Sequence, residues 1–178
     1  GPRIGKFEEA FAEYVGAKYA VACSSGTAAL HLCTLGLGVQ TGDRYLTTPI
    51  TFVASANCVR YQGGSIELVD IDRATRLMDL GLLEEKLRKN PKGTFQGIVA
   101  VDFAGHAEDM ERVRIIAEEH NLRIIEDSCH APGGFFQDRN GQIQTCGNGA
   151  FADCAIFSFH PVKHIATGEG GMVTTNDE

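Results

Sequence analysis

An α/β fold, a mostly parallel sheet flanked by helices, is what the sequence predicts, and three features carry that expectation. Short, near-continuous apolar runs such as Ile98-Val99-Ala100-Val101 read as strands buried on both faces. They alternate with segments whose apolar residues recur every three or four positions, the pattern of helices laid against a sheet. The chain has 178 residues and 43% hydrophobic content, enough for one sizeable core, so a single domain is expected.

The elements follow in order. Phe7, Ala10, Phe11, Tyr14 and Val15 share a helical face and Gly16 supplies a stop, so residues 5–16 read as an amphipathic helix. Tyr19 to Cys23 reads as a short buried strand, Ser24-Ser25-Gly26-Thr27 as an N-cap, and Ala28 to Leu37 as the next helix, which makes a strand, tight turn, helix unit. The alternation then repeats through strand 45–48, helix 53–61, strand 65–69 and helix 79–89, the last with Leu80, Leu83 and Leu87 on one face. Strand 97–102, helix 109–120 and strand 123–127 complete the regular part. Pro132 to Gly149 breaks the rhythm with a Gly/Gln/Asn-rich excursion, after which 155–159 and 171–175 read as two more strands. The final strand is followed by Asn176-Asp177-Glu178 and no closing element, so residues 1–178 are expected to be a partial large domain within a longer protein.

Composition narrows the function classes. Sixteen Lys+Arg against 23 Asp+Glu give a net charge of −7, and no basic run occurs, which argues against nucleic acid as a partner. No apolar stretch approaches the roughly 20 residues of a membrane-spanning helix, and residues 1–11 lack a signal-peptide core, so no membrane partner and a cytoplasmic location are expected. The six cysteines are scattered with no C-x-x-C pair and read as reduced core thiols, not as disulfides or a zinc site. No metal is expected.

In open α/β sheets ligands bind beyond the carboxyl ends of the strands, and few polar groups fall there. Ser25-Gly26-Thr27 opens a helix directly after a strand, which suits a phosphate but equally an ordinary N-cap. Asp127 closes a strand, where it could accept a proton from a ring nitrogen, bind a metal, or serve as a helix cap or loop ion pair. Phe52 lies just past a strand; taken alone it reads as core. Lys163, in Ser158-Phe159-His160-Pro161-Val162-Lys163, follows an apolar strand and precedes a glycine-rich turn. Burial there would favour its neutral amine, the Schiff-base nucleophile of aldehyde cofactors. A phosphate cradle, an acid and a lysine on one rim are the parts that pyridoxal 5′-phosphate needs.

These residues carry a family resemblance. Ser-Gly-Thr-Ala-Ala-Leu (25–30), Thr-Phe-Val-Ala-Ser-Ala-Asn (51–57), Val-Asp-Ile-Asp (69–72), Glu-Asp-Ser-Cys-His-Ala (126–131) and the run from Phe157 to Gly171 resemble, in order, the DegT/StrS family of sugar aminotransferases, whose members have the fold type I (aspartate-aminotransferase) architecture. The wording around Lys163 most resembles the branch that aminates C4 of a UDP-linked 4-keto-6-deoxy-N-acetylhexosamine, the UDP-4-amino-4,6-dideoxy-N-acetyl-altrosamine transaminases. The resemblance implies Lys163 as the Schiff-base lysine and proton carrier, Asp127 on the pyridinium nitrogen, Gly26, Thr27 and Ser158 on the phosphate, Phe52 stacked on the ring and His130 near the ring hydroxyl. It also implies a nucleotide-sugar substrate, an amino-acid donor such as glutamate, a homodimer, and a smaller C-terminal domain outside residues 1–178.

Three other readings compete. A dehydratase branch of the same family has histidine at the lysine position, and Lys163 argues against it. A nucleotide-binding module could use Gly36-Leu37-Gly38 as its loop, but these glycines end a helix where that motif must follow a strand. A catalytically dead relative with a regulatory role is the third.

Overall fold

A computed structural model describes residues 1–178 as a seven-stranded sheet in the order β1-β9-β8-β5-β4-β2-β3 with helices on both faces. The strands are β1 (Tyr19–Cys23), β2 (Arg44–Thr47), β3 (Ser65–Leu68), β4 (Gly97–Val101), β5 (Arg123–Asp127), β8 (Cys154–Ser158) and β9 (Gly171–Thr175). From β3 through β2, β4 and β5 to β8 every pairing is parallel; β9 alone runs against both its neighbours. The helices are α1 (Pro2–Val15), α2 (Gly26–Gly36), α3 (Ala54–Tyr61), α4 (Leu80–Arg88) and α5 (Met110–His120). The mostly parallel α/β expectation therefore holds.

Strand alternation sorts the core into two layers. Leu46, Ile98, Ala100 and Ile124 face α4 and α5, where Leu83, Leu87, Val113 and Ala117 are buried. Tyr45, Val99, Ile125 and Ile156 face the other way, onto Ala29, Leu30 and Cys33 of α2 and Cys58 and Val59 of α3. Phe11 and Val15 bring α1 onto Phe157, Phe159 and Met172. Caps match the chemistry expected of them: Ser25, Asp79 and Asp109 each accept an amide from the first turn of α2, α4 and α5. Gly16 ends α1 in the left-handed region.

Three details differ from the sequence reading, and a fourth agrees with it. α1 starts at Pro2, whose fixed φ suits a first helical position, so the helix extends a turn beyond its apolar stripe. β1 lies on the sheet edge with Tyr19 and Val21 exposed, so it is not a buried strand. The 132–149 excursion contains a hairpin, β6 (Phe135–Gln137) with β7 (Ile143–Thr145), closed by a turn in which Asp138 accepts the amides of Asn140 and Gln142. Gly36 and Gly38 do end α2, which removes the dinucleotide-loop reading. All six cysteines are free thiols, and no helix is long and apolar enough to cross a membrane.

Leu83 is fully buried beneath α4, whereas Leu82 is 41% exposed beside it. Leu83→Ala should lower unfolding stability by about 2–5 kcal/mol and Leu82→Ala by under about 1 kcal/mol, read from urea midpoints.

Candidate active site

The parallel strands β5 and β8 end on one rim, and the segments that leave β1, β2 and β5 gather there with the β8–β9 connection. They enclose a cavity of about 360 Å³ lined by Gly26, Thr27, Phe52, Asp127, His130, Ser158 and Lys163 among others. All the residues singled out in the sequence thus meet in one place, of a size that suits a small molecule.

The anion end is set by α2. Its first intrahelical bond runs from the Ala29 amide to the Ser25 carbonyl, and the Ser25 hydroxyl takes the Ala28 amide, so the amides of Gly26 and Thr27 are left for a ligand. A Cβ on Gly26 would lie 2.9 Å from both Cys129 Sγ and Ser158 Cβ. Only glycine lets the helix start come this close to β8, which brings the Ser158 hydroxyl to the same cradle. The donor set and the space together fit a phosphate.

Asp127 sits at the floor, 5% exposed. Its Oδ2 accepts from Ser55 Oγ at 2.7 Å and its Oδ1 from the Cys129 amide at 3.2 Å. Because an ionised Asp127 must accept, Ser55 donates to it and can accept from Thr51 Oγ1 at 2.7 Å. A carboxylate oriented this way can receive the N–H of a protonated ring nitrogen. Burial and the nearby Asp127 push the Cys129 thiol well above its ordinary range, so it is a neutral wall of the cavity.

His130 accepts the Ala104 amide at Nδ1, at 3.3 Å, which leaves Nε2 as its donor. Partial burial, followed by the Lys163 charge, holds its pKa below the usual histidine value. Phe52 is 68% exposed. It is not core, contrary to the reading of that residue in isolation, and its ring is available for stacking. Lys163 is half-buried in the otherwise exposed segment 160–169, close enough for its charge to act on both Cys129 and His130. The full burial expected of it is not present within these residues.

The sequence reading missed Thr51 and Ser55, although both stand in the quoted 51–57 motif. An i,i+4 hydroxyl pair at a helix start reads as local capping, and its real partner lies 72 residues away. It also missed Glu169, which lines the cavity mouth beside His160, with the imidazole Nε2 and the carboxylate 3.8 Å apart.

A helix N-terminus and a lysine thus face one small cavity at the carboxyl rim of a mostly parallel sheet, the place where open α/β folds bind their ligands. Residues 1–178 match the DegT/DnrJ/EryC1/StrS aminotransferase family, and the chain belongs to it. GDP-perosamine synthase of Caulobacter vibrioides is 40% identical over 178 residues, which cover all of this chain and 45% of that protein. UDP-4-amino-4,6-dideoxy-N-acetyl-beta-L-altrosamine transaminase of Campylobacter jejuni is 38% identical with the same coverage. Among solved structures, a sugar aminotransferase of Streptococcus pneumoniae in its PLP form superposes with a TM-score of 0.88 at 29% identity, over 100% of this chain and 46% of that one. The chain thus spans under half the length of the curated relatives it matches.

Removing the Ser55 hydroxyl leaves the buried Asp127 one donor short. Ser55→Ala should therefore cost about 1.5–3 kcal/mol in unfolding stability, the worth of a hydrogen bond to a charged group, while Thr51→Ala, which leaves that contact intact, should cost under about 1 kcal/mol. Equal urea midpoints for the two variants would contradict this assignment.

Proposed function

We propose that these residues form the cofactor site of a pyridoxal 5′-phosphate-dependent aminotransferase that moves an amino group from an amino-acid donor, glutamate, to a nucleotide-linked 4-keto-6-deoxy sugar. The observation that carries the reading is the convergence of Gly26, Thr27, Ser158, Asp127 and Lys163 on one cavity. The names of the relatives support the sugar class, and the PLP form of a structural neighbour supports the cofactor.

Bound pyridoxal 5′-phosphate supplies an electrophilic carbonyl and an electron-withdrawing ring. The Gly26 and Thr27 amides and the Ser158 hydroxyl bind the phosphate at the α2 dipole. Asp127 would accept the ring N–H and hold its proton in place. Phe52 would cover one ring face, and His130 Nε2–H would donate to the ring oxygen. Lys163 Nζ would face the cofactor's carbonyl and would hold and release a proton at Nζ, a task for which it must pass through its neutral form. A second copy of the chain, in a homodimer, and a smaller C-terminal domain would cover the exposed 160–169 segment and bring the sugar-binding groups.

Lysine at position 163 disfavours the dehydratase alternative, and a regulatory relative would have no use for the amine.

In the full-length protein, reduction with borohydride should attach the cofactor to the peptide that contains Lys163, and Lys163→Ala should abolish this adduct; an adduct at another lysine would overturn the role. Asp127→Asn should keep the fold and lower turnover about 10²–10³-fold, as loss of one preorganised electrostatic group does. Assay against a panel of nucleotide ketosugars with glutamate tests the substrate class.

A further inference from the structure

Behind the sheet, on the face away from the cavity, lies a group of acids that the proposed chemistry does not use. Asp102 follows β4 and Glu126 precedes Asp127 on β5; both are buried, and their carboxyl oxygens and Cys146 Sγ lie within 4.8 Å of one another. Glu108 is buried beside them. None of the three acids takes part in an ion pair.

The hydrogen bonds separate their roles. Asp102 Oδ1 accepts the Glu108 amide at 2.9 Å and Oδ2 the Ser128 hydroxyl at 2.7 Å; burial pushes its carboxyl above the usual range, and these two donors act against that rise by favouring the carboxylate. Glu126 Oε1 accepts the Gly147 amide, at 3.0 Å, and its carboxyl lies within 4.8 Å of an Asp102 carboxyl oxygen. Two buried carboxylates this close, with no cation between them, do not both stay charged. We propose that Glu126 keeps its proton and donates it to Asp102, so that the pair carries one negative charge and acts as a positioning clamp on the Asp127–His130 turn at the cavity floor. Burial, then the Asp102 charge, pushes Glu126 well above its usual range, in accord with this assignment. The other titratable groups that face the pair behave consistently: burial, with Asp102 and Asp109, pushes Glu108 up to about 7, and burial with both carboxyls pushes the Cys146 thiol up.

The clamp reaches the site through short links. Asp102 holds Ser128 by its hydroxyl, and its carbonyl accepts the Gly105 amide. Between them Ala104, at φ 56°, gives its amide to His130. Ionised Glu126 would repel Asp102 and release Ser128. Gly147, with φ 75° and no room for a Cβ against the Phe157 ring, fixes the amide that anchors Glu126 from the β7 side.

Glutamine reproduces protonated glutamate, donating to Asp102 and accepting from Gly147. In the intact protein, Glu126→Gln should keep its affinity for pyridoxal 5′-phosphate within about twofold at neutral pH, whereas Glu126→Ala should lose about tenfold or more. Because its folded pKa is raised, wild-type Glu126 should cost the folding constant about tenfold for each pH unit above its ordinary value of about 4.3, until it ionises. The Gln variant should lack that component, so its stability relative to wild type should rise with pH. A carboxylic-acid carbonyl stretch in the infrared spectrum at neutral pH should vanish in Glu126→Gln. A wild-type pH slope in the Gln variant, or no acid band to lose, would overturn the proposal. So would loss of stability on chelation together with metal release in Glu126→Gln, which would make Asp102, Glu126 and Cys146 a cation site. The stability and infrared arms do not depend on what the cavity binds. If the wild type fails to bind pyridoxal 5′-phosphate, the functional reading fails while the shared proton is still tested.

Discussion

The carboxylate of Asp127, buried between the Ser55 hydroxyl and the Cys129 amide, is the constraint on which the site depends. A buried charge survives only if its oxygens are met by donors, and here one donor comes from α3 and the other from the turn after β5. That requirement fixes α3 against the end of β5. It thereby fixes the segment before α3, which carries Phe52, above the cavity. On the other side of the same strand Glu126 lies close to Asp102, so adjacent residues of β5 hold acids on opposite faces: Asp127 with a donor on each oxygen, Glu126 with the Gly147 amide and a second acid beside it.

The rim arrangement follows from strand direction. β5 and β8 are parallel, and β1, paired antiparallel to β9, runs the same way as β8, so the start of α2 after β1 comes up beside the ends of β5 and β8. The single reversed strand, β9, returns through the segment that bears Lys163. Gly26 then lets backbone amides approach Ser158 where any side chain would hold them apart. Sheet direction, one missing Cβ and one buried acid account together for a cavity that pairs anion donors with an amine.

Much of this was visible in the chain. Apolar runs of strand length and helical stripes located the regular elements because helices cover both faces of the sheet, which makes burial continuous along the central strands and confines it to one stripe on each helix. Gly26, Thr27, Asp127 and Lys163 stood out because they close or follow apolar strands, whereas His130 and the phosphate role of Ser158 entered only through the family resemblance. What stayed hidden depends on contacts between distant segments. Nothing local distinguishes Ser55 from a helix cap until Asp127 is placed against it. The run 171–175 reads the same in either direction, so the reversal of β9 is set by its connection and not by its residues. The hairpin strands β6 and β7 are three residues each, too short for any period to show. Phe52 is hydrophobic and in isolation reads as core; the family resemblance pointed to a stacking role, and the structure leaves its ring exposed at the cavity.

The most direct measurement is a crystal structure of the intact protein grown with pyridoxal 5′-phosphate. The account predicts the phosphate on the Gly26 and Thr27 amides and Ser158 Oγ, the ring nitrogen against Asp127, and the carbonyl carbon within bonding reach of Lys163 Nζ. A cofactor bound elsewhere, or one whose ring nitrogen is turned away from Asp127, would contradict it.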